Sequence, residues 1–229
     1  LLPERIADEH QRAVAAGRTV AITTSSRDTA RALNEAIQAR QSRHPDEPTV
    51  RTHDGSDLYA GDVVATRRND TALVTDQGAP VRNRQTWTVE EIAADGSILV
   101  HSPERGRATI PADYAAGHVE LGWATTGYGT QGDTVDVGIA VIEPGTNRSH
   151  AYVAMTRGRE ANHAWIPDPT GELDPAHALE AALGRSDDRA SALATLDRLH
   201  LAASRPVPAY DLTVGHELAV GLSAEMMGP

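Results

Sequence analysis

The sequence predicts an α/β protein: a parallel sheet with flanking helices, interrupted by a small β-rich segment and followed by a helical extension. Three observations point there. Residues 19–24, TVAITT, are a short apolar run followed by a polar turn and an amphipathic stretch, which together make half of a βαβ unit. Residues 121–160 contain two further apolar runs, each ending in a polar loop. Between these regions the period changes, and residues 58–114 read as short strands spaced about ten residues apart, as in a small barrel.

The elements follow in order. Residues 1–18 read as a helix with Leu2, Ile6 and Val14 on its apolar side. After strand 19–24, Ser25 or Ser26 caps a helix over 28–41, whose Ala32, Leu33, Ala36 and Ile37 share one face. Proline and charge over 43–52 mark a boundary. Strands are expected at 63–66, 86–92, 97–101 and 108–110, with Asp95-Gly96 as a hairpin turn. The chain returns to the sheet at 118–125, with strands at 137–142 and 151–155 and a last short one at 164–166, stopped by Pro167. Beyond Asp168 the composition turns alanine-rich, with helices expected over 173–184 and 187–203.

Composition removes several function classes. The chain carries a formal charge of −11, which argues against non-specific DNA binding by the molecule as a whole. There is no cysteine, so no disulfide or thiolate metal site, and the histidines form no zinc-binding spacing. No apolar run approaches the roughly 18 residues of a membrane span, and no signal peptide is evident; a cytoplasmic location is expected. The Leu1-Leu2-Pro3-Glu4 start lacks a methionine and reads as that of an excised piece or a truncated reading frame. All 21 basic residues are arginine. A phosphate-binding loop of the G-x-x-x-x-G-K-[ST] type needs a lysine, so this polypeptide cannot contain one.

The two polar loops carry the chemistry. The first is rich in Thr and Gly, Thr126-Gly127-Tyr128-Gly129-Thr130-Gln131-Gly132-Asp133-Thr134; the second closes Tyr152-Val153-Ala154-Met155-Thr156-Arg157-Gly158-Arg159. Loops at the carboxyl ends of parallel strands are where an α/β sheet places its ligands. An arginine presented there suits the charge that builds on a transferring phosphoryl group. In order, with a strand between them, these loops resemble motifs V and VI of superfamily 1 helicases of the RecD-like branch. Residues 20–40 resemble the opening of the second RecA-like domain in the same family. Gly61-Asp62-Val63-Val64 with Asn69-Asp70 resembles the entry to its SH3-like insert.

The resemblance implies a RecA-like (P-loop NTPase-type) parallel-sheet domain over 1–52 and 119–168, an SH3-like β-barrel insert over 53–118 and a helical C-terminal extension over 169–229. Arg157 stands at the arginine-finger position. Gln131, Gly132, Thr134 and Arg159 stand at nucleotide-side positions, and Thr24, Ser25, Thr126 and Tyr128 at DNA-side positions. Thr134 replaces the glutamate, and Tyr128 the histidine, that many relatives carry. ATP with Mg2+ would be held mainly by an N-terminal RecA-like domain outside this sequence, and single-stranded DNA is the implied partner. The wording Q-G-x-T-V-D and A-Y-V-A-M-T-R-G-R is most similar to the helicase region of MobF-type (TraA/TrwC/TraI) conjugative relaxases, which move 5′→3′; no relaxase signature is present. Capping is the bland alternative for Thr24 and Ser25, a local ion pair for Arg157, pairing with Glu160 or Asp133 for Arg159, and core packing for Tyr128, Trp123 and Trp165. For the insert arginines, Arg67, Arg68, Arg82, Arg84, Arg105 and Arg107, the choice lies between a solvated face and a DNA backbone contact. For the whole chain, a non-enzymatic DNA- or protein-binding module or a degenerate helicase remnant is the alternative.

Overall fold

In the computed structural model, which describes residues 2–126, 135–168 and 174–185, the chain opens with helix α1 (Leu2–Ala15), strand β1 (Val20–Thr24) and helix α2 (Arg27–Gln38). A run of short elements follows: β2 (Val50–Arg51), β3 (Asp57–Leu58), β4 (Val63–Thr66), β5 (Asp70–Val74), β6 (Pro80–Val81), β7 (Thr86–Ile92), β8 (Ile98–Ser102), β9 (Gly106–Ile110), α3 (Ala112–His118) and β10 (Val119–Leu121). The last part is β11 (Ala124–Thr126), β12 (Val135–Val141), α4 (Arg148–Met155), β13 (Gly158–Trp165) and α5 (Pro175–Gly184). All of these lie within one unit, Leu1–Ser186; the helix expected over 187–203 lies outside the described residues.

β11, β1, β12 and β13 form an all-parallel sheet in that order. Side chains alternate across it, as strand geometry requires. Val137, Ile139 and Val141 point with Ile22 into a core that includes Ile6 of α1 and Leu33 and Ile37 of α2. Ala140 and Ile142 point the other way, against Ala151 and Ala154 of α4 and Ala182 of α5. Helices thus cover both faces, the expected setting for a parallel sheet. Ser26, with extended backbone (φ −111°, ψ 151°), is the cap of α2 and accepts from the Thr29 N–H at 3.1 Å.

Residues 151–155 depart from expectation, being the end of a helix and not a strand. A five-residue apolar run does not distinguish the two by periodicity. Asn147 decides it: its side chain accepts from the His150 N–H at 2.9 Å and starts a helix whose Ala151 and Ala154 meet the sheet. The last strand is correspondingly longer than the expected 164–166, beginning at Gly158.

Within the insert, β10, β4, β7, β8 and β9 form an antiparallel sheet in that order. The β7–β8 hairpin closes over Asp95-Gly96, with Gly96 at φ +82° and Ala93 N–H donating to Ser97 O at 2.9 Å. β10 pairs with β4, so the chain stays with this sheet to Leu121 and re-enters the parallel sheet at Ala124. Two buried polar side chains fix the insert to α2. Asn34 donates to Leu121 O and Ala124 O and accepts from the Ala124 N–H, at 3.0, 3.1 and 2.7 Å. Asp62, fully buried, accepts from Gln38, the Tyr59 N–H and Arg43. Among the described residues no helix is long and apolar enough to cross a membrane.

Candidate functional site

The Thr156–Arg159 turn lies between the end of α4 and the start of β13, hence at the amino edge of the parallel sheet. The carboxyl-edge placement expected for Arg157 is therefore corrected, and the cause is the helix that replaces the expected strand. Gly158 is required by close approach: a Cβ there would lie 1.9 Å from Ala161 O and 2.5 Å from Gly138 N. Asn162 closes the turn, accepting from the Gly158 N–H and donating to Gly158 O, both at 2.8 Å. The register shifts here, with Val135 opposite Gly158 but Val137 opposite Ala161. Such bulges re-aim side chains beside functional sites.

On this frame Arg157 is half-buried and donates through Nε to Val153 O at 2.9 Å, a carbonyl of the last turn of α4. Arg159 is exposed and pairs with Asp136 at 2.7 Å rather than with Glu160, which pairs with Arg18 at 3.2 Å. The Thr19 N–H and hydroxyl, then Arg159, hold the Asp136 carboxyl down at about 2. Tyr152, on α4, is 65% exposed.

The carboxyl edge has a different character. Glu143, just past β12, accepts hydrogen bonds from the hydroxyls of Thr24, Ser25, Ser26 and Thr29 and from the Ser25 and Ser26 N–H groups at the start of α2. Burial pushes this carboxyl up, but the hydrogen bonds from Ser25, Thr29, Thr24 and Ser26 outweigh it and hold it at about 2. A carboxylate at a helix N-terminus also meets the favourable end of the helix dipole. Thr24 is buried with its hydroxyl on Glu143, and His150 Nε2 lies 3.0 Å from Thr24 O. The expected DNA-side hydroxyls of Thr24 and Ser25 are thus taken up internally.

Beside β11, a cleft of about 380 Å³ opens between α2 and the insert. Arg27 and Arg31 line it from α2, Arg67 and Arg84 from the insert, and Thr126 from β11. Acids are present too: Glu120 pairs with Arg67 at 2.5 Å. Arg84 is the one described non-glycine residue in the left-handed region, at φ +68°. Its N–H donates to Thr66 O at 2.7 Å, which holds the turn. A strained residue of this kind costs on the order of 1–3 kcal/mol and persists only where its surroundings impose it. Of the other insert arginines, Arg107 pairs with Glu90 at 2.7 Å and Arg105 with Glu104 at 3.4 Å.

The structure therefore brings Arg157 and Arg159 together at one edge and places Thr126 in the cleft at the other. Gln131, Gly132, Thr134 and Tyr128 lie outside the described residues. Trp123 is buried in the core, while Trp165 is half-buried, donates to Glu9 at 3.1 Å and is faced by the Arg5 guanidinium at 4.9 Å. Sequence reasoning missed Glu143 and Asp136, because their partners are distant in the chain, and Asn162, because its local bonds to Gly158 close a turn that the expected strand over 151–155 left out. Only Asp136 had a signal, its place at the end of the Q-G-x-T-V-D wording. Among the described residues no group of carboxylates and histidines could hold a metal ion.

The fold and site define an α/β protein with two unlike sheet edges, and comparison with known proteins adds the following. No family model matches the chain. Two Mycobacterium tuberculosis proteins, each described as uncharacterized and taken from different strains, are 33% identical over 93 residues, 40% of this chain and 53% of theirs. The chain spans about half the length of these curated relatives. Among solved structures it is similar to a Bacteroides Pif1 helicase in complex with ADP-AlF3 and ssDNA, with a TM-score of 0.47 and 16% identity over 71% of this chain and 44% of that one. It is also similar to the Candida albicans Pif1 helicase, with a TM-score of 0.48 and 10% identity over 80% of this chain and 50% of that one.

Proposed function

We propose that this chain is the second motor half of an ATP-dependent superfamily 1 DNA helicase, with the RecA-like parts carrying an SH3-like insert. In this reading it supplies an arginine finger and single-stranded DNA contacts, while ATP with Mg2+ is held by an N-terminal RecA-like domain of the complete protein. The observation that carries the reading is the Thr156–Arg159 turn, whose backbone is locked by Gly158 and Asn162, with Arg157 tethered to Val153 O on one side of Gly158 and the exposed Arg159 on the other. The amino edge would close on the γ-phosphate held across an interdomain cleft, and Arg157 would meet the charge developing in phosphoryl transfer. Gln131, Gly132 and Thr134 would approach the same nucleotide. The missing lysine fits a half-motor that leaves the phosphates to another domain.

The cleft beside β11 gives the DNA path its chemistry. Its arginines offer backbone neutralisation and Thr126 a hydroxyl, with Tyr128 as a stacking face, whereas Thr24 and Ser25 would act through the loop that Glu143 holds. A MobF-type relaxase–helicase moving 5′→3′ is the finer form of this reading.

A nucleic-acid-stimulated ATPase assay on the complete protein tests it. Arg157→Ala is expected to abolish turnover while leaving nucleotide binding in place; turnover at the parent rate overturns the assignment. The second reading is a non-enzymatic DNA- or protein-binding module, which the arginine-lined cleft between α2 and the insert would serve without any nucleotide. An in-frame lysine-bearing phosphate loop in the upstream coding sequence decides for the motor.

A further inference from the structure

We propose that Asp136 is a positioning residue for Arg159, aiming its guanidinium so that the amino edge meets the triphosphate of a nucleotide with two arginines. The inference rests on reading the Thr156–Arg159 turn as the nucleotide-contacting edge. Asp136 is fixed through both carboxylate oxygens. Oδ2 accepts from the Thr19 N–H at 2.8 Å and the Thr19 hydroxyl at 2.7 Å, and Oδ1 accepts from Arg159 Nη2 at 2.7 Å. The backbone completes the clamp: the Asp136 N–H donates to Thr19 Oγ1 at 2.9 Å, and the Val137 N–H to Thr19 O at 3.0 Å. The carboxylate is therefore a rigid part of the starts of β1 and β12.

The bonds to Thr19 fix the carboxylate, but the ion pair to the exposed Arg159 adds only about 0–1 kcal/mol of stability. What the pair sets is direction. The five N–H donors of an arginine lie in one plane, so fixing one Nη sets the plane and leaves the other donors presented. The Arg159 side chain is 62% exposed, so those donors stay accessible to a ligand. Competition is removed locally, because Glu160 is paired with Arg18. Arg157, on the other side of the Gly158 turn, is tethered through Nε. Pre-orienting a flexible side chain lowers the entropy lost when a ligand binds. The consequence is tighter nucleotide binding rather than a faster chemical step.

Steady-state ATPase kinetics on the complete protein test this, with Arg157→Ala as the control for the underlying reading. Asp136→Asn, which puts an amide donor opposite Arg159, is expected to raise KM for ATP about fivefold with kcat within about twofold. Thr19→Val, which loses the hydroxyl donor, is expected to raise KM about twofold, and Thr19→Ser to restore it. If Arg157→Ala turns over at the parent rate, the edge itself has been misread. If Arg157→Ala is inactive and Asp136→Asn leaves KM at the parent value, or lowers kcat with KM constant, the positioning role is overturned. Should Asp136→Asn fail to fold, the Thr19 pair decides: equal KM for the Val and Ser variants overturns the proposal.

Discussion

The two edges of the parallel sheet use the same kinds of polar side chain to opposite ends. At the carboxyl edge Glu143 gathers the hydroxyls of Thr24, Ser25, Ser26 and Thr29 and two backbone N–H groups, leaving none of these donors pointing outward. At the amino edge Asp136 takes a single donor from Arg159 and leaves most of its guanidinium exposed. A fully satisfied polar cluster fixes architecture, whereas the donors left over on Arg159 are those that the proposed function would spend on a nucleotide.

That contrast can be broken experimentally, and the largest effect is expected at the amino edge. Arg157→Ala should lower ATP turnover of the complete protein by about 10³–10⁵-fold while shifting the thermal midpoint little. A large stability loss with intact turnover would reverse the roles of the edges. Glu143→Ala leaves its donors unanswered and should destabilise the fold by about 3 kcal/mol in denaturant titrations. A change under 0.5 kcal/mol, the scale of an ordinary surface substitution, would show that the carboxyl edge is not held by this cluster.

Acid sharpens the same point. Because the folded-state pKa of Glu143 lies near 2, below its ordinary 4.5, its contribution is complete above about pH 4.5. It is lost as pH falls towards 2, and after allowing for solvent screening it amounts to on the order of 2 kcal/mol. Glu143→Gln should flatten that part of the stability profile, measured by unfolding midpoints across the range. Gly158→Ala, whose methyl has no room against Ala161 O, should cost about 2 kcal/mol and move Arg157 with the backbone. The smallest effect belongs to the cleft. Arg84→Gly relieves the left-handed backbone but frees the unfolded chain, so stability should rise by no more than about 1 kcal/mol. It should also weaken single-strand binding and reduce the salt slope by about 1. Unchanged affinity would remove Arg84 from the DNA path.

The α/β class and most strands were legible because their signals are local: an apolar run in β1, the alternation of β7 and the Asp95-Gly96 turn. The start of α2 was legible to within the choice between Ser25 and Ser26. The helical end of residues 151–155 was not, since five apolar residues fit either period and the deciding cap, Asn147, lies upstream among Pro, Gly and Thr. That one error moved Arg157 to the wrong edge. Small elements escaped for other reasons: the β5–β6 ribbon is defined by its pairing partners and not by its composition, and the seven-residue α3 starts after Pro111 with no side-chain cap to mark it. Glu143 looked like a scattered surface acid, because its six hydrogen bonds come from residues more than a hundred positions away.

One buried amide has a mechanical consequence. Asn34 grips the chain on both sides of the Gly122-Trp123 passage, where it leaves the antiparallel sheet for the parallel one. A lobe hung only on two covalent strands would swing like a door. With its root bolted to α2, the insert's last strand and the edge strand β11 are tied to one helix and shift with it as a single piece.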